Sequence, residues 1–190
     1  NIIVQVSINN FGVDTMAAWT AYSKIDFIFW MINSAFGISV MTFVGQNYGA
    51  GKWDRIRRGT KICLGMALIS AVFVSIILMS AERFLFGIFV NDAGVVEIGI
   101  HMMNVIAPAY LLFAFIEVFS GALRAQGAVV VSTLITMVGI CVLRMIWVTL
   151  VAAHGTLEQV IICYPITWAA GALAMSIYYI YKQRKIFQAR

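Results

Sequence analysis

Long runs of apolar residues, interrupted by glycine and charge, constrain this chain more than any other feature. Of its 190 residues, 62% are hydrophobic and only 11% are charged. A water-soluble domain carries about 25% charged residues and cannot bury so much apolar surface in so short a chain. Most of the chain is therefore predicted to be surrounded by a lipid bilayer.

Five apolar segments are long enough to cross a membrane as helices, since about 20 helical residues cover some 30 Å of hydrocarbon. The predicted spans are 25–48, 62–81, 97–121, 128–152 and 160–181. A further apolar stretch, 1–12, is too short to span and is interpreted as a truncated helix. The runs lack the strict alternation of barrel strands. The predicted fold class is an all-α, polytopic membrane bundle.

The positively charged residues fall mainly on one side of these spans. Ten of the thirteen Lys and Arg residues lie in alternate connections or in the tail: Lys52, Arg55, Arg57, Arg58, Lys61, Arg124, Lys182, Arg184, Lys185 and Arg190. Cytoplasmic connections carry such an excess of positive charge. We therefore expect a multi-pass protein of the cell membrane with a cytoplasmic C-terminus. The basic composition reflects this topology, and no nucleic-acid partner is expected.

Three glycines and a basic cluster close the first of these spans, in the sequence FVGQNYGAGKWDRIRRG at 43–59. A phosphate-binding loop needs Gly, four residues and then Gly-Lys-Ser/Thr. Here position 46 is Gln and Lys52 is followed by Trp53, so the pattern is absent. Gly45 and Gly49 instead have the spacing that allows two helices to approach closely.

The same stretch resembles the sequence that closes the second helix of a lobe in the multidrug and toxic compound extrusion (MATE) family. NIIVQVSINNFG at 1–12, SGALRAQG at 120–127 and CYPITW at 163–168 resemble further stretches of the family's C-terminal half, in the same order. The residues that carry this signature are Gly45, Gln46, Asn47, Gly49, Gly51, Arg124, Gly127, Tyr164 and Pro165. Ala125 departs from it, because the family usually has Gly after the Leu-Arg pair.

The resemblance implies one six-helix lobe of a twelve-helix, two-lobe transporter. Residues 1–190 would form the C-terminal lobe, and the N-terminal lobe would be its partner. Such transporters export organic cations and other drug-like compounds by alternating access, in exchange for Na⁺ or H⁺. The resemblance thus implies a transporter rather than an enzyme, with no cofactor other than the coupling ion.

Glu117 is the acid placed deepest in a predicted span, roughly 8 Å from its cytoplasmic end. An ionisable residue within a membrane is costly to insert, and it marks a functional site unless it is neutralised locally. A buried acid that is discharged by Na⁺ or H⁺ can couple ion binding to transport. Glu117 is accordingly a candidate for cation coupling, and a hydrogen-bonded packing residue is the alternative.

Arg144 is the cation placed within a predicted span, nearer the outer surface. Its depth differs from that of Glu117 by more than about 10 Å, which excludes a direct pair. Asp26, at the outer start of its span, is the expected partner in a structural ion pair, with Glu97 as the second choice.

Carboxamides make the first part of the chain unusually polar for a membrane segment. Gln5 and Asn9 lie in the truncated first helix, and Asn33 lies within the next span. Such groups either bond between helices, for about 0.6 kcal/mol each, or line a cavity. All three are predicted to line a cavity.

Pro108 lies near the middle of the 97–121 span. Proline frees a backbone carbonyl and can kink a helix. It is a hinge candidate for alternating access, and a purely structural kink is the equal alternative.

Three other functions were weighed against export. An intramembrane protease needs a nucleophile and a base at one depth, and no such pair is found in the sequence. A lipid-linked oligosaccharide or lipid flippase of the same superfamily is expected to need several cationic groups, whereas only Arg144 lies within a span. A non-transporting scaffold would not need Glu117. The three cysteines, Cys63, Cys141 and Cys163, lack metal-ligand spacing, so no metal site is predicted.

Overall fold

The structure, a computed structural model, describes residues 2–150 and 155–188. These residues are almost entirely helical, and no strand occurs among them. The helices are α1 Ile2–Asn9, α2 Val13–Gly49, α3 Trp53–Ser80, α4 Glu82–Phe89, α5 Ala93–Ile106, α6 Tyr110–Ala125, α7 Val129–Thr136, α8 Leu143–Leu150, α9 Leu157–Ile161 and α10 Cys163–Gln188. The predicted all-α fold class is confirmed.

The first two long helices begin well before the predicted spans of 25–48 and 62–81. Helix α2 has 37 residues and starts directly after Gly12, whose φ of 98° separates it from α1. Helix α3 has 28 residues and starts at Trp53. The helices extend beyond the predicted spans because hydropathy marks only the part of a helix that lies in hydrocarbon. The helical hydrogen bonds continue beyond that part until a glycine or a turn interrupts them.

Pro108 lies in a 3-10 turn, Ala107–Ala109, that joins α5 to α6. Proline has no N–H to donate to the preceding helical turn, so the regular ladder changes there. The Ser75 hydroxyl of α3 donates a 2.9 Å hydrogen bond to the Ala107 carbonyl beside this turn. The predicted span 97–121 is thus two helices with a change of helix type between them.

The fourth span contains a π-helical segment, Met137–Val142, between α7 and α8. Such wide turns accommodate one extra residue and were not predicted from the sequence. A Cβ added to Gly139 in this segment would lie 3.3 Å from the Gly171 Cα of α10, so the two helices are in close contact. The predicted end of the span, at 151–152, falls outside the described residues.

The last span is also divided, into α9 and α10, and it begins before the predicted boundary at 160. Thr156 and Gln159 cap α9 reciprocally through their side chains and backbone amides. Pro165 lies in the first turn of α10, where its missing N–H leaves the Ile161 carbonyl without its usual helical donor. The break between the two helices at Ile162 follows from this.

Helix α6 lies in the middle of the bundle and packs against α2, α3 and α10. Within the described residues, five helical segments are long and apolar enough to cross a membrane. Their outer faces carry large apolar side chains such as Phe27, Ile69 and Leu150, which are 60%, 72% and 78% exposed. An apolar surface of this extent is compatible with lipid and not with water. The bundle is a polytopic membrane fold.

Helices α2 and α6 end in the same way, with glycine in the left-handed conformation. Gly51 has a φ of 68° and Gly127 has a φ of 79°. The amide after each glycine donates to the carbonyl five residues earlier, at 2.8 Å and 2.9 Å. This is the Schellman arrangement, which satisfies the last carbonyls of a helix and needs a residue without a Cβ penalty.

The three connections that carry most of the positive charge meet at one end of the bundle. Lys182 of α10 donates to the Gln126 carbonyl at 2.8 Å, and Gln183 donates to the Gln126 side chain at 3.0 Å. The start of α3 and the end of α10 line a common cleft, with Trp53 on one side and Arg184 on the other. The basic residues that the sequence pattern groups together thus lie on one surface of the folded molecule.

Candidate functional site

Helices α2 and α6 cross in close contact at a pair of glycines. A Cβ added to Gly121 would lie 2.6 Å from the Gly37 carbonyl oxygen and 2.9 Å from the Val40 side chain. No side chain larger than hydrogen fits at position 121 without movement of α2. The backbones therefore approach each other as closely as small residues in membrane helices allow.

Glu117 occupies the space that the glycine of α2 leaves open. A Cβ added to Gly37 would collide with the Glu117 carboxylate and lie only 2.8 Å from its Cγ. Glu117 precedes Gly121 by one helical turn and lies on the same face of α6. We call this arrangement of Gly37, Glu117 and Gly121 the glycine notch.

The Glu117 carboxylate has a single, loose partner. The Arg124 Nη2 lies 3.7 Å from the Glu117 Oε1, which is the one ion pair of this carboxylate among the described residues. The Glu117 side chain keeps 23% of its surface exposed and that of Arg124 keeps 39%. The Arg124 Nε is buried and has no hydrogen-bond partner within the described part of the chain. The notch thus contains an acid that is open to exchange.

Asp26 is buried, only 8% exposed, and is saturated with neutral donors. The Trp30 indole, one turn further along α2, donates to one carboxylate oxygen at 2.5 Å. The Tyr110 hydroxyl at the start of α6 donates a short hydrogen bond to the other. The Tyr22 hydroxyl lies 3.3 Å from the Tyr110 hydroxyl and shares a hydrogen bond with it. Hydrogen bonds to a charged acceptor are about twice as strong as neutral ones.

Aromatic rings surround this acid on the side of α10. Phe29 stacks on Tyr110 with ring centroids 3.8 Å apart, and Trp168 lies against Tyr110 and Tyr164 at 6.2 Å and 5.6 Å. We call these rings together with Asp26, Trp30 and Tyr22 the aromatic cluster.

The predicted ion pair between Arg144 and Asp26 is not formed, and that prediction was wrong. Arg144 lies over the Tyr164 ring at 4.0 Å and donates to the Thr167 hydroxyl at 3.1 Å. The second choice, Glu97, pairs with Arg83 at 2.6 Å. Aromatic side chains separate the two charges, and a guanidinium on an aromatic face is itself stabilised within a bundle. Depth alone does not determine which groups meet.

The three predicted cavity residues are in different environments. Gln5 lines an open hollow of about 500 Å³ together with Trp19 and Lys24, and it donates to Asn9 at 3.5 Å. Asn33 is only 4% exposed and lies at a gap between α2 and α3 that has no space for a water molecule. Packing between helices, rather than cavity lining, describes Asn33, which corrects that prediction.

The signature residues shape helix ends more than a ligand site. Gly49 has open space where a Cβ would point, and a Cβ at Gly45 would lie 4.0 Å from that of Ala125, an ordinary contact. The predicted close approach at these two glycines was therefore wrong, and it occurs at the glycine notch instead. Asn47 donates to the Phe43 carbonyl at 2.8 Å, and Gln46 is exposed.

Sequence reasoning missed both glycines of the notch and the phenol that holds Asp26. An isolated glycine within an apolar helix is a usable signal for close backbone approach, and Gly37 and Gly121 both have it. Trp30 follows Asp26 by four residues, which predicts a contact on one helix face. Tyr110 is 84 residues away from Asp26, and the sequence gives no signal for that pairing.

No group of three or more His, Cys, Asp or Glu side chains that could hold a metal ion is found in the described residues. The partners of Glu117 and Asp26 in the described residues are Arg124, Trp30 and Tyr110, none of which is a carboxylate. Chemically, the notch presents a partly exposed carboxylate with one cationic partner, whereas the aromatic cluster holds its acid with neutral donors.

A protein-family model described as MatE matches residues 1–150 of the chain. Among curated proteins, the probable multidrug resistance protein YoeA of Bacillus subtilis (strain 168) is 24% identical over 191 residues, which cover 97% of this chain and 41% of that protein. The multidrug and toxin extrusion protein 1 of Homo sapiens is 22% identical over 158 residues, which cover 80% of this chain and 28% of that protein. The chain thus spans less than half the length of either relative.

The fold is also found in a solved structure. An outward-facing multidrug resistance MATE family transporter of the MOP superfamily superposes with a TM-score of 0.88 at 15% identity. The superposition covers 98% of this chain and 42% of that one. At this identity the likeness establishes the fold alone.

Proposed function

The chain belongs to the MatE family, and on that premise we propose that it forms one lobe of a cation-coupled multidrug exporter. The lobe is the C-terminal one of two, and the partner lobe supplies the other wall of a central cavity. Organic compounds, most of them cationic, leave the cell in exchange for Na⁺ or H⁺. The family assignment favours a transporter over an enzyme.

The glycine notch is the observation that carries this proposal. Glu117 lies within a membrane-spanning segment, has one partner at 3.7 Å and keeps part of its surface exposed. An intramembrane acid that is neither fully paired nor fully buried can exchange its partner for an ion at modest cost. Two glycines hold the carboxylate in the groove between α2 and α6, so a change of its partner acts on that crossing.

The proposed mechanism follows from competition at one carboxylate. A proton or Na⁺ that binds Glu117 replaces the attraction of Arg124. The freed Arg124 and the altered contact between α6 and α2 then favour a different packing of the lobe. A ligand shifts such an equilibrium only by its differential affinity for the two states. Substrate binding and ion binding are coupled because both depend on the same helices.

The 3-10 turn at Pro108 separates α5 from α6 and is the proposed bending point of this motion. Outward of the turn, α5 packs with α2 and α4, and inward of it α6 carries Glu117. A change in helix type between two packed halves allows one half to move relative to the other. The hydrogen bond from Ser75 to Ala107 fixes the outer side of this turn.

The proposed orientation places the basic end of the bundle in the cytoplasm. The 52–61 connection, the α6–α7 turn and the end of α10 lie together there, and positive charge of this density is typical of cytoplasmic surfaces. The cell membrane is the proposed location. Drug-like small molecules are the proposed cargo, and Gln5 with Asn9 forms part of the proposed cavity wall.

Reconstitution of the intact protein tests this function. Proteoliposomes loaded with a cationic dye are given an inward Na⁺ gradient, an inward pH gradient or neither. Faster dye loss with one gradient than with none supports the proposal and identifies the ion. Dye loss that is independent of both gradients contradicts antiport. Movement of a fluorescent lipid between leaflets, without dye loss, would indicate a flippase.

A further inference from the structure

A cleft of about 530 Å³ lies between the start of α3 and the end of α10, at the basic end of the bundle. Its polar lining includes three cations, Arg57, Lys61 and Arg184, and one acid, Asp54. The described part of the lining therefore carries two more positive than negative charges. None of these side chains takes part in the glycine notch or the aromatic cluster.

Both walls of this cleft consist of side chains that are four residues apart and therefore share one helix face. On α3, Trp53, Arg57 and Lys61 follow one another at intervals of four residues and share one face. On α10, Ile180 and Arg184 do the same. Arg55 and Arg58 of α3 are exposed but do not line the cleft. Only some of the basic residues at the start of α3 therefore line the cleft, and the others face away from it.

Tyr179 lies at the floor of the cleft and is only 7% exposed. Its ring stacks on Phe119 of α6, with centroids 4.6 Å apart and planes inclined by 16°. Its hydroxyl is buried and lies beside Thr60, but it makes no hydrogen bond of regular geometry among the described residues. Arg57, which lines the same cleft, is close enough to act electrostatically on this hydroxyl. A buried hydroxyl and a guanidinium thus lie near each other in this part of the cleft.

The chemistry of this set is that of a phosphate site. Guanidinium and ammonium groups are donors only, and a tyrosine hydroxyl can donate as well, so the matching ligand is an anion with several acceptor oxygens. Arg binds phosphate oxygens in a forked, charge-assisted geometry. Asp54, which also lines the cleft, can accept a hydrogen bond from a hydroxyl group elsewhere on the same ligand.

The position of the cleft selects a lipid over a soluble ligand. Trp53 and Ile180 provide apolar wall beside the cations; Trp53 is the first residue of α3, and Ile180 lies in the last third of α10. Tryptophan is enriched at the level of lipid headgroups. Basic pockets between membrane helices are known sites for anionic headgroups. We infer that this cleft binds the phosphate of an anionic phospholipid in the adjacent leaflet.

This inference requires a membrane protein but not transport, and only the choice of leaflet rests on the orientation proposed above. The test uses the intact protein in nanodiscs of phosphatidylcholine, with or without phosphatidylglycerol. Lipid that remains bound after transfer to detergent is measured by native mass spectrometry. Retained phosphatidylglycerol should fall at least about tenfold in R57Q/K61Q, since two of the three cations are removed.

The matched control is R55Q/R58Q, which removes the same charge from the same helix outside the cleft. This variant should retain phosphatidylglycerol to within about twofold of the unmodified protein. Equal loss in both double variants would show diffuse surface attraction and overturn the inference, as would full retention in R57Q/K61Q.

Two further measurements keep the outcome clear. Tyr179→Phe removes only the hydroxyl at the floor and should weaken retention about threefold without changing the stacking on Phe119. Inorganic phosphate, added at the same concentration as phosphatidylglycerol, should not displace the bound lipid, because inorganic phosphate has no acyl chains. Displacement by inorganic phosphate alone would assign the cleft to a soluble anion and contradict the lipid. Neither measurement uses transport, so failure here is distinct from failure of the proposed export.

Discussion

Glu117 and Asp26 are both acids within membrane-spanning helices, and they differ in how their charge is satisfied. Asp26 accepts hydrogen bonds from Trp30 and Tyr110 and is 8% exposed. Glu117 has Arg124 at 3.7 Å and keeps 23% of its side-chain surface exposed. Neutral donors held by packed rings cannot leave, whereas a long arginine side chain can. The number and rigidity of its partners, more than its burial, decides whether an acid is available to an ion.

The same two helices contribute to both regions, which makes the comparison internal to one packing unit. Helix α2 supplies Asp26 to the aromatic cluster and Gly37 to the notch, and α6 supplies Tyr110 and Glu117. Large rings fill the aromatic cluster, whereas glycine, which has no side chain, leaves space in the notch. Substitutions that exchange these properties should therefore separate stability from ion coupling.

The largest expected effect is on transport by Glu117→Gln. Glutamine keeps the shape of the side chain but neither binds a proton nor carries charge. We expect gradient-driven dye efflux to fall to the level of protein-free liposomes, while the thermal unfolding midpoint changes little. Asp26→Asn is the matched control and should keep most of the efflux. Efflux within about twofold of the unmodified protein in Glu117→Gln would remove Glu117 from the coupling mechanism.

The second effect is a loss of stability in Asp26→Ala. Removal of the carboxylate leaves the Trp30 and Tyr110 donors buried without an acceptor, at a cost of about 3 kcal/mol in total. The measurement is the free energy of unfolding in mixed micelles. Asp26→Asn keeps one acceptor oxygen and should lose less. If Asp26→Ala is as stable as the unmodified protein, the aromatic cluster does not anchor α2 to α6.

A third substitution fills the notch. Gly37→Ala places a methyl group where the Glu117 carboxylate lies, so either the carboxylate or the helix must move. Overpacking of this kind costs about 2 kcal/mol and should also slow gradient-driven efflux several-fold. Gly49→Ala is the control, because a Cβ there meets open space. Equal effects of the two substitutions would show that the notch has no special role.

The smallest expected effect concerns the ion pair between Arg83 and Glu97, which has the shorter distance, 2.6 Å, but lies at the surface. Their side chains are 76% and 55% exposed, so water and salt screen the attraction. Arg83→Gln should change the free energy of unfolding by less than about 1 kcal/mol. A larger loss would mean that short distance outweighs environment, contrary to the comparison of the two acids.

The sequence predicted the helical class and the approximate ends of spans where glycine acts locally. Gly51 and Gly127 end α2 and α6 because each adopts a positive φ, which a sequence pattern can indicate. Helices α2 and α3 begin about ten residues before the predicted spans, since hydropathy depends on the side chains whereas helicity depends on the backbone.

The candidate site was only partly predictable. The intramembrane position of Glu117 follows from counting residues, and its depth relative to Arg144 excluded that pair. The contact of Asp26 with Tyr110 and the crossing of Gly37 with Gly121 depend on how α2 and α6 pack, which no local pattern determines. Arg144 lies over the Tyr164 ring of α10 and does not pair with Asp26, a contact that also depends on helix packing.

Substrate-induced ion movement tests the account most directly. The intact protein is reconstituted without an ion gradient, a cationic dye is added on one side, and the resulting flux of H⁺ or Na⁺ is recorded. The unmodified protein should move the ion against the dye, and Glu117→Gln should show no ion movement while Asp26→Asn keeps it. Ion movement that persists in Glu117→Gln and disappears in Asp26→Asn would assign the coupling to the aromatic cluster and contradict the account.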